Sequence, residues 1–206
     1  MNNSFDISQY NPNYSHEFSD TLDKLNLHIN LIYNELKDIY TAIYIFEIIQ
    51  KQWEYRGQIY DPPEYSTLRT TLYESLVYRI IIGLSKIFAN KDNSLIKAVN
   101  QLEQQQINDI NVKKAIKDIQ TKYNASIIVG VIRMFRDKFF AHLDNESILS
   151  ELRINPEEAI KYISISEIAD WMELIHNLYA TCFNDELPRI PTLPTADEIL
   201  TTFKLN

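Results

Sequence analysis

Apolar residues recur at helical spacing through the first quarter of the chain. Leu22, Leu25, Ile29, Ile32, Leu36, Ile39, Ile43 and Phe46 follow one another at intervals of 3, 4, 3, 4, 3, 4 and 3. Those intervals keep all eight on one stripe of an α-helix, with Asp23, Lys24, Asn30, Asn34, Glu35 and Lys37 elsewhere on the cylinder. The pattern predicts a helix from about Asp20 to Trp53, near 50 Å long at about 1.5 Å per residue. That exceeds the core diameter of a compact monomer of this size, so the bundle is expected to be elongated.

A second start signal is Asp61-Pro62-Pro63-Glu64. Asp61 can cap, Pro62 suits the first helical position, and Glu64 stands where a capping box places a carboxylate. The helix it opens runs to about Ala89 through Leu68, Leu72, Leu76, Ile80, Leu84 and Ile87. Around Val77 to Leu84 it is apolar nearly all the way round, which predicts a central position. Shorter helices are expected over Ser94 to Gln104, Val112 to Tyr123 and Ala125 to His142. Asn155-Pro156-Glu157-Glu158 and Ser164-Ile165-Ser166-Glu167 have cap-and-carboxylate spacing. The second opens a helix to Phe183 with Ile168, Met172, Ile175, Tyr179 and Cys182 inward. Thr195-Ala196-Asp197-Glu198 is a last candidate capping box. No strand alternation and no internal repeat is visible. The expectation is an all-α, elongated bundle of four to five core helices with short capping helices. It forms a single domain over 1–206, with its core at about 18–184 and tails at 1–17 and 185–206.

Composition narrows the chemistry. Three glycines in 206 residues, Gly57, Gly83 and Gly130, stand too far apart for a phosphate-cradling Gly-rich loop. The one cysteine, Cys182, forms neither an internal disulfide nor a thiolate cage, which points to a reducing compartment. Residues 1–18 lack a basic n-region and an apolar h-region, and no apolar run approaches the roughly 20 residues that span a bilayer. The expected location is the cytoplasm, with no membrane partner. A net charge of −8 disfavours a general nucleic-acid coat while leaving room for a local basic site.

The histidines are His16, His28, His142 and His176. Glu173 and His176 have the Glu-x-x-His spacing of carboxylate-bridged di-metal bundles. No second copy accompanies them, so a surface pair at i, i+3 is expected, with no metal and no cofactor. His28, beside the long stripe, reads as a boundary or dimer-facing residue. One segment stands apart: between 131 and 142, Arg133, Arg136 and Lys138 face a single anion, Asp137.

Arg136-Asp137, four residues and then His142 fit the R-[N/D/H]-x-x-x-x-H signature, and here the chain resembles the HEPN superfamily of helical nucleic-acid-processing proteins. The wider string Arg136-Asp137-Lys138-Phe139-Phe140-Ala141-His142-Leu143-Asp144 resembles its AbiU-like, abortive-infection branch. The order of elements over about 20–183 is also similar. Without the family, Ile128, Ile132, Phe135, Phe139 and His142 share one stripe, so His142 is either a semi-buried helix-terminal histidine or a functional one. Arg136, equally, is a solvated charge or a phosphate ligand. Arg136 and His142 stand about 120° apart around a straight helix. Two copies of that helix meeting across a two-fold axis would bring both pairs to one cleft, and the resemblance implies the same homodimeric composite site.

What the resemblance implies is a metal-independent endoribonuclease, acting in phage defence or as a toxin restrained by an antitoxin or regulatory protein. An imidazole near pKa 6.5 suits proton transfer, and a guanidinium fork suits phosphate oxygens. In that reading Arg136 and His142 are catalytic. Asp137 orients Arg136 or tunes His142, and Lys138 and Arg133 steer RNA phosphates. Tyr123, Phe139 and Phe140 stack a base or pack the core. The acidity of the chain favours tRNA or another structured RNA as substrate over indiscriminate degradation. The alternative is a catalytically silent HEPN-like module that binds RNA, a nucleotide or a partner protein. A third reading is a dimerisation protein that uses the stripe from Leu22 to Phe46 as its surface.

Overall fold

A computed structural model describes residues 19–56, 63–89, 94–105, 108–139, 160–183, 185, 187–188 and 192–202. Seven α-helices occur among them: α1 (Ser19–Arg56), α2 (Pro63–Leu84), α3 (Leu95–Gln104), α4 (Ile110–Ala125), α5 (Ile127–Phe139), α6 (Ile165–Phe183) and α7 (Ala196–Thr202). No strand is found among the described residues. The fold is the expected all-α bundle.

The 38 residues of α1 form its spine, about 57 Å long. All eight stripe residues are buried, from Ile29 and Leu36 at full burial to Ile32 at the shallow end. Each such side chain contributes about 1.5–3 kcal/mol relative to exposure. The stripe is covered by this chain's own helices, chiefly α2 and α6. A dimer that used it as its surface would have to unpack the monomer, so that reading is corrected.

Helix α2 runs antiparallel to α1. Phe46 stacks on Tyr73 at 5.0 Å, Asp38 accepts from Arg79 at 3.0 Å, and Glu35 faces Arg79 and, just beyond the end of α2, Lys86. Gly83 sits in close contact with α1: a Cβ there would lie 2.8 Å from Ile39 Cδ1 and 2.9 Å from Glu35 Oε1. The expectation for α2 needs two corrections. Its apolar surround is not fully covered, because Tyr78 and Ile82 are exposed beside buried Val77, Ile80, Ile81 and Leu84. Its end is not α-helical either, since Ser85–Ala89 form a π turn with Ile87, Phe88 and Ala89 buried. The cap residues Asp61 and Pro62 lie outside the described residues, as do Asn155 to Glu158.

Local capping sets the remaining helices. Ser94 caps α3, accepting from Lys97 N, and Asp109 caps α4, accepting from Asn111 N at 2.7 Å. Ser164 accepts from Glu167 N at the start of α6. Thr195 and Glu198 form a reciprocal capping box, Thr195 N donating to Glu198 Oε2 at 2.7 Å and Glu198 N to Thr195 Oγ1 at 3.2 Å. On α6, Ile168, Met172, Ile175, Tyr179 and Cys182 all point inward as expected. Tyr33 and Tyr179, anchored on Pro188 O and Asn26 Oδ1, tie α1 to the C-terminal region.

Candidate active site on α5

The break between α4 and α5 falls at Ser126, two residues beyond the position expected at Asn124, because Ser126 serves both helices. Its backbone is extended, and its N–H closes α4 on Lys122 O at 2.8 Å. Its hydroxyl oxygen accepts from Val129 N at 3.4 Å, capping α5, and the hydroxyl donates to Glu167 Oε1 at 2.7 Å. One residue thus ends a helix, begins the next and fastens the corner to α6.

From that corner α5 is held by Ile128, Val129 and Ile132, all buried, and it packs on the π turn. A polar clamp secures the same contact. Tyr123 donates to Phe88 O at 2.6 Å, a carbonyl of the π turn. Arg133 Nη2 in turn donates to Tyr123 Oη at 2.9 Å, with its guanidinium carbon 4.7 Å from the ring centroid. Phe88 lies 4.9 Å from Trp171, a fully buried ring on α6. Lys122 closes the cluster, 5.5 Å over Trp171 and 3.1 Å from Asp170 Oδ2. The motif helix is therefore oriented by α4, α6 and the end of α2 together.

Of the residues singled out from the sequence, Arg133 is exposed and seated on Tyr123. Arg136, Asp137 and Lys138 lie on the last turn of α5. By helical register Arg136 and Asp137 stand about 60° and 40° from Arg133 around the axis, and Lys138 about 140° away. His142 and Phe140 lie outside the described residues. Gly130, about 60° from Arg133, is exposed, and a Cβ there would meet nothing within 4 Å. The clamp was not foreseen. Tyr123, weighed for base stacking or core, is buried with its hydroxyl committed to Phe88 and Arg133.

Elsewhere, Glu173 is exposed and His176 half-buried on α6, and no third ligand joins them among the described residues. Cys182 is buried as a small apolar residue, and burial pushes its thiol up to about 12. His28 lines a groove of about 570 Å³ with Lys24, Ile32, Lys86 and the exposed Leu27 and Leu31 (62% and 59%). At its edge the hydrogen bonds from Arg79 hold the Glu35 carboxyl below the usual glutamate range, against some opposing desolvation. No helix of the described residues is long and apolar enough to cross a membrane.

The chain matches the family model described as AbiU2, of the HEPN group, over residues 19–197. No curated protein and no solved structure matches it.

Proposed function

Because the chain belongs to the AbiU2 family of HEPN domains, we propose that it is an endoribonuclease that cleaves RNA without a metal, in phage defence or as the toxin of a toxin–antitoxin pair. The observation that carries this reading is the setting of Arg136-Asp137. The pair lies one turn beyond Arg133 on a helix whose root is fixed by Ser126, Tyr123 and the π turn. A helix anchored in this way gives Arg136 and Asp137 a fixed backbone position, from which a guanidinium can serve the preorganised charge that transition-state stabilisation requires.

In a homodimer two copies of the chain supply two Arg136 and two His142 side chains to one cleft. One imidazole takes the proton from the ribose 2′-OH as its oxygen attacks phosphorus. The bond to the 5′-oxygen breaks, and the second imidazole, protonated, gives that oxygen its proton. The products are a 2′,3′-cyclic phosphate and a free 5′-OH. Arg136 carries the charge that gathers on the non-bridging oxygens. Asp137 orients Arg136 or tunes His142, while Arg133 and Lys138 steer the approaching strand.

The test is cleavage of total cellular RNA in excess EDTA by the wild type, Arg136→Ala and His142→Ala proteins. Cleavage by the wild type that both substitutions abolish is the expected result. A wild type that leaves RNA intact, or cleavage indifferent to both changes, overturns the assignment. A second reading, a silent HEPN module that binds a partner, is favoured by the groove of Leu27, His28 and Leu31, in which both leucines are exposed.

A further inference from the structure

Several cations of this acidic chain are engaged by neighbouring groups: Arg79 and Lys86 face Glu35, Lys122 bonds Asp170, and Arg133 sits on Tyr123. Helix α4 carries a cluster of three that is not. Val112, Ile116, Ile119 and Tyr123 turn inward, and α4 packs on α3 and α6. Lys113, Lys114 and Lys117 turn outward and are all exposed. Within about 100° of arc, all three flank Ile110, which is 78% exposed. Among the described residues no carboxylate forms an ion pair with any of the three. They line a groove of about 720 Å³ together with Gln120 and Glu103. The Glu103 carboxylate is engaged, accepting from Gln120 Nε2 at 2.8 Å.

Three neighbouring unpaired ammonium groups with an apolar residue among them fit a polyanion whose backbone alternates charge and apolar surface. We propose that this outward face of α4 is a second RNA contact, holding the phosphate backbone of a structured RNA while the scissile nucleotide lies at α5. The proposal rests on RNA being the substrate and adds where the rest of that RNA is held. The geometry suits it: α4 from Lys114 to its end and α5 from its start to Arg136 rise about 17 and 14 Å, and with the step across Ser126 the two sites lie within about 40 Å. A folded RNA spans that distance. The placement also reconciles a net charge of −8 with an RNA substrate, because the attraction is confined to one face.

The test measures binding of unfractionated tRNA to the full-length His142→Ala protein, which separates binding from cleavage, at several salt concentrations. Lys113→Gln/Lys114→Gln/Lys117→Gln is compared with Lys37→Gln/Lys51→Gln/Lys161→Gln, an equal charge change at solvent-accessible positions outside both grooves. The α4 triple is expected to weaken binding about tenfold or more near 0.1 M salt, and to lower the slope of log K against log salt by about 2–3. The control set should change neither by as much. Equal losses in both sets, an unchanged slope in the α4 triple, or no tRNA binding by the parent protein overturn the proposal. So does loss, in the α4 triple, of binding to anionic lipid vesicles with tRNA binding intact. If the α4 triple binds tRNA like its His142→Ala parent and, with His142 restored, cleaves RNA like the wild type, this proposal fails and the nuclease reading stands. If the α4 triple loses tRNA binding but the wild type never cleaves, the nuclease reading fails and the α4 contact stands.

Discussion

The clamp between α4, α5 and the π turn is open to a direct energetic test through Tyr123→Phe. The substitution keeps the ring, and with it the packing on Phe88 and most of the attraction to the Arg133 guanidinium. It deletes only the hydroxyl, which donates to Phe88 O at 2.6 Å and accepts from Arg133 Nη2 at 2.9 Å. Phe88 is buried, so its carbonyl loses a donor that water does not readily replace, at a cost of about 1–3 kcal/mol. Arg133 is exposed and regains water, so its lost bond adds less than about 1 kcal/mol. The expected loss is therefore about 2 kcal/mol, or about 4–8 °C in Tm for a chain of this length. Arg133→Ala, which leaves the bond to Phe88 intact, should cost about 1 kcal/mol through the cation–π contact and one hydrogen bond. Urea unfolding of both single variants and the double variant gives the coupling, expected at about 0.5–1 kcal/mol. A Tyr123→Phe protein within about 0.5 kcal/mol of wild type, or a coupling of zero, would refute the view that this hydroxyl fastens the motif helix.

Three further predictions concern the α1–α2 contact and a glycine on α5 that contrasts with it. Gly83→Ala gains about 1 kcal/mol of helix propensity but drives a Cβ to within 3 Å of Ile39, which is fully buried and must shift within the core. Overpacking of about 1–3 kcal/mol should win. Gly130→Ala meets no atom and should stabilise by about 0.5–1 kcal/mol, so thermal shifts of one sign for both would contradict the geometry. The depressed Glu35 pKa makes a stability contribution that is present above the ordinary glutamate value and is lost as pH falls through the folded value. Glu35→Gln should therefore be less stable than wild type at pH 7 and flatten the acid limb of the stability–pH curve below about pH 4.5. A parallel limb in the variant would show the ion pair to be inconsequential.

The parts of the fold that are local in origin can be read from the chain. The stripe from Leu22 to Phe46, the caps at Ser94 and Ser164, and the Thr195–Glu198 box depend on residues within one or two turns. The inward face of α6 follows from the same periodicity. What escaped that reading is decided between helices. Tyr78 and Ile82 look as central as Ile80 until the partners of α2 are placed. Asn124 and Ser126 are both plausible stops, and only the approach of Glu167 makes Ser126 the corner. The π turn carries no local mark, since Ser85 to Ala89 continue the helical pattern of α2.

The site divides along the same line. Arg136, Asp137 and His142 are conspicuous because their spacing is a signature, whereas what orients α5 is a tyrosine on α4, a backbone carbonyl after α2 and a serine between helices. Arg133 bridges the two halves: in the sequence it is one more cation beside the motif, and in the structure it caps the hydroxyl that anchors the helix. Substituting Arg133 thus perturbs the set of α5 and, under the proposed function, phosphate steering as well, whereas Tyr123→Phe perturbs the set alone. Comparing RNA cleavage by the two variants separates these contributions. A loss shared by both belongs to the clamp, and any excess in Arg133→Ala belongs to the charge. The lysines of α4 are visible in the sequence as well, yet nothing local distinguishes them from solvated charges. They acquire meaning only once Val112, Ile116, Ile119 and Tyr123 are seen to hold that helix with the opposite face outward.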